Sequence, residues 1–343
     1  LIPTKSVPEV LGQTRALVQP ALLEAIRSLS EEVRPLAAYH LGFVDDKGSP
    51  LPGGLHAGKG VRSTLVLLAA EAVGGSARMS VPGAVAIELV HNFSLIHDDV
   101  IDDDTERRHR PTLWAVFGIG RAIVTGDALS SLALELVLDA GETADQSLRA
   151  ARCLARATSV MIAGQALDMA FEQNREVSLE RCRSMEAQKT GALLGCATSL
   201  GAILGGAPDI VVTELDTFGM ELGLAFQAVD DILGIWGDPE TTGKPAWSDL
   251  RQRKKTLPIV AALEHGGERA GELARLLSQE HLGDHEIARA AELVELCGGR
   301  EYATAAAQDH LHQGLRALER VPLVPAAREG LVLLARFITA REF

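Results

Sequence analysis

The stretch with the densest potential for chemistry is His97-Asp98-Asp99-Val100-Ile101-Asp102-Asp103-Asp104-Thr105-Glu106-Arg107-Arg108-His109-Arg110. Five aspartates fall within seven positions, and arginines follow directly. Adjacent carboxylates repel one another, so a folded chain that keeps them together needs a compensating positive charge. A hard divalent cation such as Mg²⁺ supplies it, because it prefers carboxylate oxygen. The arginine pair adds a second requirement: a ligand that is itself anionic and reaches the protein through metal, as a diphosphate does. A charge run is most often a solvated face. This one ends an apolar helical pattern, Ala84 to Ile96, of more than three turns. Asp98 and Asp102 are four apart and share one face of that helix, which His91 and Ser94 continue.

A second acidic pair, Asp230-Asp231, also ends a long apolar helical pattern, with Gln227 one turn before Asp231. One such pair is weak evidence. Two, each closing a buried helix, predict facing acidic ends that hold metal with a diphosphate bridging them. Basic residues are spaced around them. Gly58-Lys59-Gly60-Val61-Arg62 lies at a loop-to-helix junction, where backbone N–H groups and two cations can meet phosphate. Lys189-Thr190-Gly191 interrupts an apolar helix, where a lysine either snorkels to water or meets an anion. Lys244 and the run Ser248 to Thr256, with Lys254, form a basic loop that is placed to close over a bound anion.

These residues need long helices to position them, and the composition agrees. The chain has 343 residues, 47% hydrophobic but only 4% aromatic. Its apolar mass is Ala, Leu, Val and Ile, which suits packed helices better than a β-sandwich. Helical periodicity predicts elements over 62–73, 81–102, 122–138, 146–173, 179–204, 211–236 and 256–265, with shorter amphipathic helices beyond. The expectation is a single all-α domain, residues 1–343, of long antiparallel helices. Net charge of −13 argues against nucleic-acid binding through a basic surface. The four cysteines lack paired spacing and read as core thiols of a reducing, cytoplasmic setting. No signal-peptide pattern is visible at the start. Gly191 to Val212 is broken by Pro208 and Asp209 and reads as a buried helix and turn, not a membrane segment.

At this point the pattern resembles the trans-isoprenyl diphosphate synthases, the polyprenyl synthetase family, most closely a bacterial geranylgeranyl diphosphate synthase. The resemblance is clearest over residues 55–260. Asp98-Asp99-x-x-Asp102 resembles the family's first aspartate-rich motif, Arg107-Arg108 the arginine pair after it, and Gln227-x-x-Asp230-Asp231 the second motif. The resemblance implies an isoprenoid synthase bundle around a central cavity, usually a homodimer. It implies Mg²⁺, three ions per active site, held by Asp98, Asp99, Asp102, Asp230 and Asp231. It implies an allylic diphosphate that ionises, its leaving group met by Arg107, Lys189, Thr190, Gln227, Lys244 and Lys254. Isopentenyl diphosphate would be held by Lys59, Arg62, His91 and Arg108. The catalytic set would be Asp98, Asp99, Asp102, Arg107, Lys189 and Asp230.

Three positions depart from the family pattern. Gly234 stands where the second motif usually has a third Asp, Gly60 where Arg is common, and His109 where Gly is common. The first departure predicts that Gly234→Asp is tolerated or mildly helpful. Phe93 and Ser94, five and four residues before Asp98, resemble a chain-length floor about 7.5 Å down the helix, which implies a C20 product with C15 next. Two rivals stand beside this reading. A class I terpene cyclase on the same fold would need one diphosphate site, whereas Lys59, Arg62, His91 and Arg108 write a second. A silent partner subunit would have lost its acidic motifs.

Overall fold

Residues of high helix propensity at helical spacing dominate the chain, and its computed structural model is helical almost throughout. The structure describes residues 6–51, 60–174, 176–239, 246–279 and 281–340. Two helices absent from the sequence expectation come first, α1 (Val7–Arg27) and α2 (Arg34–His40). They are followed by α3 (Val61–Ala72), α4 (Val81–Ile101), a two-stranded hairpin of β1 (Glu106–Arg107) and β2 (Arg110–Pro111), α5 (Leu113–Phe117), α6 (Ile119–Leu138) and α7 (Ala144–Gln173). The expected 179–204 helix is α8 (Leu179–Glu186) and α9 (Ala192–Leu204), joined by a π-helical turn, Ala187–Gly191. α10 (Asp209–Trp236) carries the second acidic pair. Beyond it lie Ser248–Arg251, Leu257–His265, Glu268–Leu277, Asp284–Leu296, Gly299–Glu319 and Pro325–Thr339. Gly299–Glu319 is 21 residues long, against the shorter helices expected there.

The residues group into two compact units, 1–158 with 196–216 and 318–334, and 159–195 with 217–317 and 335–343. In the first unit α4 is central. Pro82 sits in its first turn, where a missing N–H is no loss. Every residue from Gly83 to Val90 is buried, as a helix enclosed on all sides requires. α4 packs on α6, α3 and α1. Only its last turns surface: Asp98 is half-buried and Asp102 exposed. In the second unit α10 is anchored by two apolar clusters. Ala228, Val229 and Ile232 pack with Leu179, Cys182, Leu257 and Val260. Ile235 packs with Leu250, Ile259, Leu273 and Leu293. The acidic pair therefore stands on a helix whose buried face is fixed on either side of it.

The hairpin pairs Glu106 with Pro111 and Arg107 with Arg110. Its two central residues, Arg108 and His109, have φ of 53° and 60°. Positive φ at both positions is what tight hairpin turns demand, and side chains other than Gly adopt it at a cost. His109 is exposed and its nearest carboxylate, Glu106, is 4.0 Å away, so little repays that cost. His109→Gly is expected to raise stability by roughly 0.5–1 kcal/mol, read as a higher urea midpoint at unchanged slope.

Candidate active site

At the first acidic motif the two members of the Asp pair are treated differently. Asp99 is 1% exposed and accepts a hydrogen bond from Arg107 Nε at 2.6 Å. Its other oxygen, Oδ2, is buried with no partner among the described residues. Burial outweighs the Arg107 charge and lifts this carboxyl to about 6. The chain after α4 is folded back by Asp104, whose carbonyl accepts from the Thr112 hydroxyl and the Trp114 indole, each at 2.8 Å. That fold-back brings Arg107 onto Asp99. Among the described residues no three His, Cys, Asp or Glu groups converge as a ready-made metal cage. The donors nevertheless fit Mg²⁺. They are the carboxylate oxygens of half-buried Asp98 and exposed Asp102, and Mg²⁺ takes one or two carboxylates plus phosphate and water instead of an all-protein cage.

The same unit gathers the cations. A small cleft is lined by Tyr39, His40, Asp99, Arg107, Arg108 and Arg110. Arg110 lies 4.6 Å over the Tyr39 ring and donates to the Val44 carbonyl at 3.1 Å, so it braces the wall. Burial holds His40 down to about 3, with Arg107 and Arg108 acting in the same direction. His91 is likewise held well below the usual histidine range by burial, then by Arg62, Arg108 and Arg107. Both imidazoles are thus neutral among guanidinium groups. Arg62 is pulled down to about 10 by burial, against the opposing charge of Glu88, and its Nε is buried without a partner among the described residues. Glu88, 6% exposed, accepts from the Ser63 N–H at 3.1 Å in the first turn of α3. The expected pocket residues Arg62, His91 and Arg108 are therefore in one electrostatic neighbourhood. Lys59 and Lys244 lie outside the described residues.

The second unit assembles the other motif. Asp231 is 4% exposed. It accepts from Gln227 Nε2 at 2.7 Å and from the Leu257 N–H at 2.9 Å. Leu257 is the first residue of its helix, where a negative charge is favoured. Burial, Glu186 and Asp249 all push the Asp231 carboxyl up. Gln227 Oε1 accepts from the Thr190 hydroxyl at 2.7 Å. Asp230 is half-buried. Asp99 and Asp231, both expected to face metal, are each held by donors within the protein.

Lys189 does not snorkel. Its Nζ meets Asp168 Oδ2 at 2.5 Å. The π-turn that carries it is pressed between two glycines: a Cβ on Gly164 would lie 2.4 Å from the Lys189 nitrogen, and one on Gly223 2.7 Å from the Gly191 Cα. π-turns of this kind mark functional sites. Asp168, Glu88 and Glu186 were not singled out in the sequence. For Glu88 the available signal was a lone acid in an otherwise apolar helical pattern, whereas Asp168 and Glu186 lie in helices with other charged residues. Lys254 is exposed, and its N–H donates to the Asp249 carbonyl at 2.9 Å.

Position 234 reverses its sequence expectation. The space a side chain would need there is filled by the Asp249 carboxylate, whose Oδ2 would lie 2.1 Å from a Cβ on Gly234. Ser248 holds it there, donating to the Gly234 carbonyl at 3.1 Å and lying 3.3 Å from Asp249 Oδ1. Asp249 is 7% exposed.

A sequence profile described as "Polyprenyl synthetase" matches residues 54–294. The chain is 44% identical to a (2E,6E)-farnesyl diphosphate synthase of Mycobacterium tuberculosis H37Rv, over 99% of this chain and 94% of that protein. It is 41% identical to a geranylgeranyl diphosphate synthase of the same strain, over 98% and 96%. A crystal structure of a polyprenyl synthetase from Streptomyces coelicolor A3(2) superposes with a TM-score of 0.92 at 45% identity, covering 97% of this chain and 99% of that one.

The geometry at position 234 generates a prediction opposite to the sequence expectation. Gly234→Asp forces a second carboxylate against a buried one and is expected to destabilise the fold by about 2–4 kcal/mol. Adding Asp249→Ala should recover part of that loss. Urea unfolding of the single and double variants reads both effects.

Proposed function

From the premise that the chain belongs to the polyprenyl synthetase family of trans-prenyltransferases, we propose that it condenses isopentenyl diphosphate head-to-tail with an allylic diphosphate. The observation that carries this reading is a pair of separate anion-binding neighbourhoods. One is the guanidinium pair of Arg62 and Arg108 with neutral His91. The other is Lys189 with Thr190 and Gln227. A cyclase has no use for the first, because it consumes a single diphosphate.

In this reading Asp98, Asp102 and Asp230 would hold Mg²⁺, up to three ions, while Asp99 and Asp231 would brace them. The metal, when bound, neutralises diphosphate charge. Arg107 and Lys189 meet the departing diphosphate, where negative charge develops as the allylic C–O bond breaks. Lys244 and Lys254 close over it. Arg62, His91, Arg108 and Lys59 hold isopentenyl diphosphate so that its double bond faces the allylic cation. The new C–C bond forms, a proton leaves the isopentenyl carbon chain, and the departed diphosphate accepts it. No side chain needs to be the base.

The product reading is C20, supported by Phe93 and Ser94. Phe93 is 8% exposed and its ring stands edge-on to His97, centroids 4.9 Å apart. A C15 product is the second reading, favoured by the name of the 44% identical relative. The two compact units are read as one domain, because their boundaries fall inside helices α7, α9 and α10 and not in linkers. A homodimer is supported by Ile119, Ile123, Leu134 and Leu138, exposed along one face of α6. A cytoplasmic setting is supported by four free cysteines. No described helix is long and apolar enough to cross a membrane.

Isopentenyl diphosphate with C5, C10 or C15 primer and Mg²⁺ is expected to end at C20 by mass analysis. Termination at C15 would establish the second reading, and hydrocarbon from geranylgeranyl diphosphate alone would establish the cyclase. Asp98→Ala should lower kcat by about a thousandfold or more. Phe93→Ala should lengthen the product. An unchanged product length would remove the floor from Phe93.

A further inference from the structure

Glu88 is a carboxylate in a place where the proposed reaction calls for cations. It is 6% exposed, in the middle of α4, and every residue around it from Gly83 to Val90 is buried. Arg62 and Arg108 are near enough to feel its charge. That charge offsets part of the attraction a diphosphate would meet there. A buried group that opposes binding needs another use, and the hydrogen bonds show one.

α3 begins after Gly60, whose φ of 62° turns the chain into the helix. A helix leaves its first N–H groups without partners, and the N-cap side chain ordinarily takes one of them. Gly60 has no side chain with which to do so. The Ser63 N–H donates instead to Glu88 Oε1 at 3.1 Å, 25 positions along the chain. The helix dipole also favours a carboxylate at this end. The Gly60 carbonyl accepts from the Ser63 and Thr64 hydroxyls at 3.0 and 2.7 Å. The first turn of α3 is thus closed by its own hydroxyls on one side and by α4 on the other. Arg62 immediately precedes Ser63, and His91 lies about one turn after Glu88 on α4. The Ser63–Glu88 bond therefore ties together the helices that carry Arg62 and His91. A second polar tie lies beside it. Asn92 Nδ2 donates to the Glu88 carbonyl at 2.7 Å, and Asn92 Oδ1 is 3.2 Å from Nε2 of His40 in α2.

We propose that Glu88 is a positioning residue that caps α3 from α4 and so sets Arg62 against His91 in the pocket for isopentenyl diphosphate. The proposal rests on the prenyl-transfer reading, in which Arg62, His91 and Arg108 meet that diphosphate. Glu88 itself touches no reacting atom. Its cap and its charge act in opposite directions on binding, and two substitutions separate them. A glutamine at 88 keeps a carbonyl oxygen for the Ser63 N–H and removes the charge. A leucine of similar volume removes both.

The test compares Glu88→Gln and Glu88→Leu with the unaltered chain. It reads thermal stability, KM for each substrate separately, and calorimetric binding of isopentenyl diphosphate and of inorganic pyrophosphate, each without metal. The Gln variant is expected to bind isopentenyl diphosphate at least as tightly as the unaltered chain. The Leu variant should bind it about tenfold more weakly than the Gln variant and show the same ratio in KM. KM for the allylic diphosphate should agree between the two within about twofold. Equal isopentenyl diphosphate affinity in Gln and Leu overturns the proposal, as does a Leu variant that loses stability alone or raises both KM values alike. If the Leu variant does not fold, Glu88→Asp, which withdraws the carboxylate by one methylene, takes its place under the same criteria. An unaltered chain with no condensation activity would sink the prenyl-transfer reading by itself. The Gln-to-Leu ratio for inorganic pyrophosphate needs no condensation and would still decide the role of Glu88.

Discussion

A carboxylate taken out of water must be given a proton, a cation or hydrogen-bond donors, and both acidic motifs are built around that requirement. Consecutive residues on a helix point about 100° apart. In Asp98-Asp99 and in Asp230-Asp231 one member therefore turns inward when the other turns out. The inward members are held by protein donors, Asp99 through Arg107 and Asp231 through Gln227 and the Leu257 N–H. They act as anchors. Asp99 pins the hairpin that carries Arg107 and Arg108 to the end of α4. Asp231 pins the start of the helix Leu257–His265 and the π-turn to α10. The outward members, Asp98 and Asp230, are held in place by anchors one residue away.

The cations follow from the same constraint. The Nε contact to Asp99 uses one of Arg107's five donors, so its orientation is fixed while most of its hydrogen-bonding capacity is left. Lys189 is paired with Asp168, and the two side chains are 27% and 33% exposed. An ion pair at that exposure orients a lysine without binding it strongly, and a diphosphate can compete for it. The imidazoles of His40 and His91 stay neutral first because they are buried and then because each has guanidinium groups beside it. A neutral ring adds a hydrogen-bonding group to the pocket without adding to the repulsion between its cations.

Much of this was legible in the sequence because it is local. The helices at 61–72, 81–101 and 209–236 follow from apolar spacing, and Gln227 lies one turn from Asp231 on the same face, where the structure places their hydrogen bond. The partners of the buried groups were not legible, because they are remote in sequence. Asp168 is 21 residues from Lys189, Glu88 is 25 from Ser63 and Asp231 is 26 from Leu257. Periodicity carries no information about such pairs. The hairpin was missed because two residues per strand leave no alternation to detect. α1 contains Pro20 in its interior, a residue that argues against helix when read alone. Gly234 misled for a related reason. A missing side chain reads as a loss in sequence, whereas in space the volume had been given to Asp249.

That exchange bears on how metal would be held. A third Asp at 234 would place its carboxylate on α10 itself, one turn from Asp230 and Asp231, and all three would repel within a single helix end. Here the third carboxylate comes from Asp249, on a separate segment tied down by Ser248, and its charge helps push the buried Asp231 carboxyl up. α10 is left with one half-buried acid at its motif instead of two or three. Mg²⁺ is ordinarily bound by few carboxylates together with substrate phosphate and water. In the prenyl-transfer reading, a sparse carboxylate set makes metal and diphosphate depend on one another at the second motif, because neither finds its full coordination without the other. The burden of holding metal then shifts toward Asp98 and Asp102, which lie one turn apart at the end of α4.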